Sequence, residues 1–452
     1  MEKEWSRLSA EEKREIRFQR WLNPEDVEFI DQAAREGYQK RLRRFIDAIC
    51  LKEPDRVPVM LHAGYKPAHH SGYTIKDVMY DMEKMEKAWL QYIHDFDHDS
   101  LPSPAQVQCG QALDLLQSTM YKWAGHGLAD NHAPQYLENE LLKADEWDEY
   151  MNHPAEFNIR KYLPRMFGAA EPLSKLPLLA DIGRIPGTLG ALAEPDIQAA
   201  FKALGDAEKA NALWRRGVAR VNHQGMAMGF PIFSVLARGG APLDNVGAAL
   251  RGTKGLAKDL FKQPERVIEY LERTVPVSIQ DSVAIADAAN CPVIMMPLHR
   301  GADGWMSEEH FIKFYWRYMR QVLLGQIENG LVPCFFVEGG YNTRLEIIAD
   351  VPKGKVIWFF DKTDIFKAKE VLGSHCCIMG NLPASLLVTA SADDVKAHCR
   401  KLIETVGIGG GYILAPGATS NSSKIENLNA MLEAAKEYGV YRKERSIDYE
   451  QP

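Results

Sequence analysis

Residues 331–342, LVPCFFVEGGYN, change from an apolar run to a polar turn within two positions. The first seven residues are almost wholly apolar, which is typical of a strand that is buried on both faces. The turn then begins with the carboxylate of Glu338 and two glycines, which let a backbone turn sharply or approach a ligand closely. A charged side chain at the end of a buried strand must find a partner or solvent. Whether this turn stands alone or belongs to a series decides the fold.

The same order of helix, apolar strand and polar loop recurs on both sides of this stretch. The apolar runs are RVPVMLHAG (56–64), CPVIMMPL (291–298), LVPCFFV (331–337), KVIWFF (355–360), CCIM (376–379) and GYIL (411–414). This alternation indicates a parallel sheet with helices outside it. No Gly-rich phosphate-binding turn follows the first run, so the sequence predicts an α/β fold of the (β/α)8 TIM barrel type rather than an open sheet.

The remainder of the chain is predicted to be mainly helical. Residues 1–50 are predicted to form an N-terminal helical extension, with Ser9 and Glu12 in capping-box spacing and Asn23-Pro24 opening a second helix. A homodimer contact through this extension stays open. Residues 51–452 are assigned to the barrel domain, with helical insertions expected between 105 and 225, where helix formers alternate with Pro and Gly.

Composition excludes several classes of function. The chain has 452 residues, of which 46% are hydrophobic and 25% charged, an ordinary globular profile. A formal net charge of −7 argues against nucleic-acid and anionic-membrane partners, which require basic surfaces. No apolar run approaches the roughly 20 residues that span a bilayer, and the N-terminus lacks the apolar core of a signal peptide. We therefore expect a cytoplasmic protein, in which the seven scattered cysteines are reduced, mostly buried thiols.

Functional groups in a (β/α)8 barrel lie at the carboxyl ends of the strands, where this sequence places its unusual residues. The candidates are Glu338, Asp361 and His299 as catalytic residues, and His62, Tyr65, Arg300, Asp303, Tyr341, Asn342 and Asn381 as substrate-binding residues. Structural roles stay open for several of them, because Glu338 can pair with an arginine and His62 can be a core histidine. Sequence spacing does not show whether the histidines converge, so no metal site is assigned.

Six motifs resemble the uroporphyrinogen decarboxylase superfamily. They are DRVPVMLHAG (55–64), APLDNVGAALRGTKGLAKDLFKQPERV (241–267), GADGWMSEEHF (301–311), FFDKTD (359–364), MGNLPASLL (379–387) and IENLNAML (425–432). The resemblance implies a single barrel with its cleft at the strand carboxyl ends. It also implies one of two activities, since the superfamily includes decarboxylases of the porphyrin pathway and methyltransferases that work with corrinoid (cobalamin-type) proteins.

Two departures from the superfamily pattern narrow the choice. The loop HAGYKPAHHSGY (62–73) lacks the arginines with which the porphyrin enzymes hold a polycarboxylate, so the methyltransferase branch is favoured. Thiol-methylating members carry a zinc-binding His-x-Cys pair and a further Cys. The residues of this chain that look like their counterparts are VEGG (337–340) and APGATS (415–420), which contain neither His nor Cys. Zinc activates a thiol by lowering its pKa, so we expect neither zinc nor a thiol acceptor.

The resemblance therefore implies a corrinoid-dependent methyltransferase. We expect it to move a methyl group between a corrinoid carrier on a partner protein and a small non-thiol partner, such as tetrahydrofolate or an O-methyl compound. Glu338 would handle a proton or anchor the small molecule. The alternative is a carboxy-lyase in which Arg300 or Arg238 holds a smaller carboxylate and Asp361 or His299 delivers a proton. A third interpretation is a non-catalytic cobalamin or porphyrin binder, against which the density of ionisable groups at the strand ends argues.

Overall fold

The computed structural model describes residues 5–178, 187–237, 240–419 and 421–441. Its centre is a six-stranded parallel sheet in which each strand pairs with the next along the chain. These strands are β4 (Val235–Leu236), β5 (Val293–Leu298), β6 (Val332–Val337), β7 (Ile357–Phe360), β8 (Cys377–Met379) and β9 (Tyr412–Ile413). The five apolar runs predicted between 291 and 414 are thereby confirmed as strands, with helices between them. The fold is mixed α/β.

Two further segments extend the backbone hydrogen bonding beyond β9. The links are Met60 N–H to Leu414 O at 3.0 Å, Asp99 N–H to Val59 O at 3.1 Å, and Leu101 N–H to Pro231 O at 2.7 Å. The run predicted as a strand at 56–64 is thus hydrogen-bonded beside β9 but forms no regular strand. Pro58 and Pro231 lack the backbone N–H that a regular ladder requires. The described strands of this sheet thus number six where the sequence predicts eight, and they do not close into a barrel.

Alternate residues of the strands face two different cores. Met295, Phe336 and Phe359 belong to a cluster on the inner face of the sheet. The intervening positions pack against the surrounding helices in a second cluster. The neighbours Cys376 and Cys377 belong to the outer and inner clusters respectively, which confirms that only one of them faces the interior.

The N-terminal helices, Ala10–Leu22 and Gln32–Ile49, cover the inner core at the amino ends of the strands. The predicted capping box of Ser9 and Glu12 is confirmed. The prediction that Asn23-Pro24 opens the second helix is wrong. That helix begins after Asp31, whose carboxylate accepts a hydrogen bond from the Ala34 N–H at 2.7 Å.

The described residues between 105 and 225 form helices, loops and a small three-stranded sheet. That sheet contains β1 (Tyr121–Ala124), β2 (Gly127–Leu128) and β3 (Gln135–Tyr136). The other α-helices are Lys66–His70, Ile75–Tyr80, Met82–Asp95, Gly110–Leu116, Trp147–Asn152, Pro154–Phe157, Leu163–Met166, Gly187–Leu192, Pro195–Ala227, Pro242–Asn245, Gly252–Lys262, Pro264–Ala289, Glu308–His310, Arg317–Glu328, Leu345–Ile348, Ile365–Leu372, Ala384–Thr389, Ala392–Val406 and Ile425–Tyr438. Within the described ranges, none of the helices combines the length and apolarity that crossing a membrane requires.

Candidate functional site

Five predicted site residues continue the inward-facing positions of their strands. Inward residues recur at every second position, so His299, Glu338 and Asp361 extend the inner faces of β5, β6 and β7. His62 and Asn381 do the same after Met60 and β8. The three predicted catalytic residues, His299, Glu338 and Asp361, therefore lie together at the carboxyl end of the sheet. We call the opening that they surround the mouth.

The closest contact in this mouth joins His299 and Glu338. Nδ1 of His299 donates a hydrogen bond to Oε2 of Glu338 at 2.8 Å, and the two side chains are 43% and 47% exposed. This hydrogen bond raises the pKa of His299, and the nearby carboxylate of Asp244 acts in the same direction. The pair is therefore a solvent-accessible acid–base unit in which the protonated imidazole is favoured.

Asp361 and His62 flank this pair in less exposed positions. Burial raises the pKa of Asp361, and the charge of Glu338 adds to this effect. Burial lowers the pKa of His62, whose Nδ1 has no hydrogen-bond partner and whose ring contacts Phe336 edge-on at 5.6 Å between centroids. Phe336 in turn packs against Phe359 at 4.5 Å. The four ionisable side chains of the mouth therefore lie beside an apolar surface formed by Phe336 and Phe359.

Arg300 does not face this mouth, because its position continues the outward face of β5. The residue is 5% exposed, and its backbone N–H donates to Oδ1 of Asp244 at 2.8 Å. Its guanidinium donates to Glu138 and, at 3.1 Å, to Oγ1 of Thr253. Arg300 therefore links the segment around Glu138 to the loop after β5. It also lines a cleft beside His299, so its role in substrate binding stays a prediction.

Asp303 and Asn342 also serve their own loops. The Asp303 carboxylate accepts the Asn342 N–H at 2.7 Å and the Thr343 hydroxyl at 2.7 Å. The side-chain oxygen of Asn342 accepts the Asp364 N–H at 2.9 Å. The hydrogen bonds of Asp303 join the loop after β5 to the loop after β6. Both side chains therefore already accept hydrogen bonds from within the protein.

Tyr341, Tyr65 and Asn381 likewise support the mouth from behind. Tyr341 is fully buried, so its ring is not at a surface where it could stack on a ligand as predicted. Tyr65 is also buried, within a separate core cluster. The Asn381 amide donates to the backbone oxygens of Asp361 at 3.0 Å and Thr363 at 2.8 Å. Asn381 therefore fixes the turn that carries Asp361.

Asp244 is the supporting residue that sequence reasoning missed. It is 3% exposed and accepts hydrogen bonds from the His299 N–H at 3.0 Å and the Tyr315 hydroxyl at 2.6 Å, in addition to the Arg300 N–H. A carboxylate inside the otherwise apolar start of the motif at 241–267 was the available signal. Asp244 holds the backbone at His299 and thereby sets the direction of the imidazole.

A cleft of about 330 Å³ opens beside His299. Its walls include Tyr136, Glu138 and Trp305, so the insertion supplies part of the site. Among the residues that the structure describes, no group of three or more His, Cys, Asp or Glu side chains is arranged to hold a metal ion.

Comparisons with known proteins agree with this architecture. Residues 232–438 match the uroporphyrinogen decarboxylase (URO-D) family, so this part of the chain is a URO-D family domain and the resemblance seen in the motifs is confirmed. A methyltransferase from Methanosarcina mazei has a similar structure, with a TM-score of 0.54 and 17% sequence identity over 87% of this chain and 98% of that one. No curated protein matches the sequence significantly.

Proposed function

We propose that this protein is a corrinoid-dependent methyltransferase. It transfers a methyl group between a corrinoid carrier on a partner protein and a small non-thiol partner, such as tetrahydrofolate or an O-methyl compound. The observation that carries this proposal is the hydrogen bond between His299 and Glu338 in the mouth. Support also comes from the URO-D domain and from the fold shared with a methyltransferase.

Methyl transfer to or from nitrogen or oxygen requires the movement of one proton. An amine that gains a methyl group loses its N–H proton, and an ether oxygen that loses a methyl group takes one up. His299 is placed to donate or accept this proton, and Glu338 stabilises its protonated form. Thiol activation by zinc is not needed for such partners, in agreement with a glutamate at the end of β6.

The open side of the mouth suits a flat, largely apolar macrocycle. Leu236, the last residue of β4, is 60% exposed and pairs in register with Met295, four residues before His299. A bound corrinoid would supply the cobalt centre that exchanges the methyl group. Leu236 would contact the ring, while His299 and Glu338 would face the methyl partner.

We propose further that the six strands belong to the (β/α)8 barrel that the family domain implies. The backbone hydrogen bonds from β9 to 57–61, from there to Asp99, and from Leu101 to Pro231 run in the order that closure requires. In a closed barrel the inward residues at the carboxyl ends surround one pocket, which is the usual active site.

The carboxy-lyase alternative has an anchor that is already paired. A lyase needs a cation to hold the substrate carboxylate, and Arg300, which lines the cleft beside His299, is paired with Glu138 and Asp244. Arg238, the other arginine considered, lies outside the described residues. The raised pKa of Asp361 suits a proton donor in either reaction, so carbon dioxide release is a necessary control measurement.

An anaerobic absorbance assay tests the proposal. Methylcobalamin is incubated with tetrahydrofolate and, in a second series, free cobalamin in its Co(I) state with methoxybenzene. We expect the methyl-cobalt absorbance to fall in the first series or rise in the second. Glu338→Gln should slow whichever reaction occurs by about a hundredfold, the usual range for general acid–base catalysis.

The matched control is Glu346→Gln, which makes the same chemical change at an exposed carboxylate on the helix after the loop. It should leave the rate within about twofold of the parent. Release of carbon dioxide from a carboxylate substrate, with no change at cobalt in either series, would instead establish the lyase.

A further inference from the structure

A second cavity, separate from the barrel mouth, lies inside the 105–225 insertion. It measures about 440 Å³, within the range typical of small-molecule sites. Its walls are mostly apolar and aromatic, and include Leu113, Tyr121, Phe167 and Trp214. Trp214 is fixed by a hydrogen bond from its indole N–H to the backbone oxygen of Val107 at 2.8 Å. The aromatic walls are suited to the face or edge of another aromatic ring.

A polar atom that is buried in the wall has no hydrogen-bond partner. The side-chain oxygen of Gln108 is buried and accepts no hydrogen bond in the structure. The backbone of the same residue is held by a hydrogen bond to the Tyr65 hydroxyl, which keeps Gln108 in place. A buried acceptor without a donor costs free energy until a ligand or a water supplies one. The Gln108 oxygen is therefore a recognition point for a ligand with one hydrogen-bond donor.

The charge of the cavity lining disfavours ligands that carry two or more charges. Of its described lining residues, Arg215 alone carries a charge, and it is paired with Glu208 at 2.5 Å. A tetrahydrofolate molecule brings at least two carboxylates, which require cationic partners. The cavity lining offers no second cation for them, so an uncharged ligand fits better.

The cavity and the cleft beside His299 share one wall. Tyr136 lines both, and its hydroxyl donates a hydrogen bond to the backbone oxygen of Ala248. Its ring packs edge-on against Tyr121, with centroids 5.4 Å apart. Arg300 fixes this wall to the barrel through Glu138, two residues further along the chain. The side chain of Tyr136 therefore separates the cavity from the cleft beside His299.

We infer that this cavity binds an uncharged aromatic compound of a single ring. Aromatic walls, an unpaired buried acceptor and a lining with a single charged residue define the ligand.

Binding of phenol and methoxybenzene to the full chain, measured by saturation-transfer NMR titration without any corrinoid, tests this inference. Phenol carries one donor for the Gln108 oxygen, and methoxybenzene carries none. Replacing Gln108 by leucine should weaken phenol about fivefold, the equivalent of one hydrogen bond, and change methoxybenzene by less than twofold. Gln106→Leu makes the same change at an exposed position of the same turn and should alter neither affinity.

A filling variant tests the location. Ala249→Phe, at a half-buried position of the wall, should weaken both probes at least tenfold. Equal binding of both probes to the parent and to this variant would overturn the site. Binding of neither ring to the parent would overturn this inference and leave the proposed methyltransferase in place. Ring binding without methyl transfer in either series would confirm the cavity and count against the methyltransferase.

Discussion

Oε2 of Glu338 lies 2.8 Å from Nδ1 of His299, although 39 residues separate them in the chain. The register of β5 against β6 creates this contact, because Leu298 pairs with Val337 and the next residue of each strand turns into the mouth. Two neighbouring strands of a parallel sheet thus deliver a base and a carboxylate to one point without a loop to position them.

Replacing Glu338 by glutamine should lower the pKa of His299. The carboxylate stabilises the imidazolium, and a neutral amide does so less strongly. In the parent His299 therefore stays protonated to higher pH than in the variant. If His299 donates the proton, the alkaline decline of the methyl-transfer rate should begin at lower pH in Glu338→Gln. An NMR titration of the imidazole alongside the rate profile measures both effects, and identical titrations of the two proteins would contradict the pairing.

Arg300 should contribute to stability far more than a surface arginine. Arg300→Leu leaves Asp244 buried without its cation, and breaking a buried pair typically costs about 3 kcal/mol of the free energy of unfolding. Arg320→Leu is the control, because Arg320 pairs with Asp350 at the surface and such pairs contribute about 1 kcal/mol or less. Urea unfolding of both variants gives the comparison. Equal losses would show that Arg300 is not the structural joint described above.

The contrast between the two halves of the site shows what the sequence could predict. The ends of apolar strands were visible in the sequence, so His299, Glu338 and Asp361 were predicted from position alone. Alternation along the strand also places the backbone of Arg300 on the opposite face from His299. It does not determine where a long side chain ends, and the guanidinium of Arg300 pairs with Glu138 in the wall of the cleft beside His299.

The insertion could not be predicted in the same way. Its cavity depends on contacts between segments far apart in the chain, such as Trp214 with Val107 and Tyr136 with Ala248. No periodic pattern records such pairs, because each depends on how separate helices pack. The same limit applies to the second helix, where a local Asn-Pro signal competed with a better cap at Asp31.

Gly301 should not tolerate even an added methyl group. A Cβ atom at this position would lie 1.9 Å from the Tyr341 hydroxyl oxygen and 2.8 Å from a ring carbon of Tyr315. Gly301→Ala should therefore lower the free energy of unfolding by about 2 kcal/mol, as overpacking of a core does. Combining it with Tyr341→Phe removes the nearest atom and should recover part of the loss. A double-mutant cycle in urea measures this coupling, and strict additivity would rule out the clash.

Methyl transfer should not depend on zinc. Zinc is held by about three or four Cys, His, Asp or Glu ligands, and among the described residues no group of three or more such side chains is arranged to hold a metal ion. We expect purified protein to contain zinc well below stoichiometric amounts by mass spectrometry. Incubation with EDTA should leave the rate unchanged, and added zinc should not increase it. A rate that is lost with EDTA and restored by zinc would contradict this prediction.

His62 should make the protein less stable in mild acid. Burial lowers the pKa of His62 in the folded state, whereas the unfolded chain takes up a proton near its ordinary pKa of 6.5. Between these two pKa values the unfolded state binds more protons, so the free energy of unfolding falls as the pH decreases through this interval. In His62→Gln this contribution is absent, and the difference in urea stability between pH 7 and pH 5 should become smaller. His132→Gln, at an exposed histidine, should keep the parent difference. If both variants kept the parent difference in stability, His62 would be protonated as readily in the folded protein as in the unfolded chain. The apolar surface under the mouth would then not disfavour a charged imidazole.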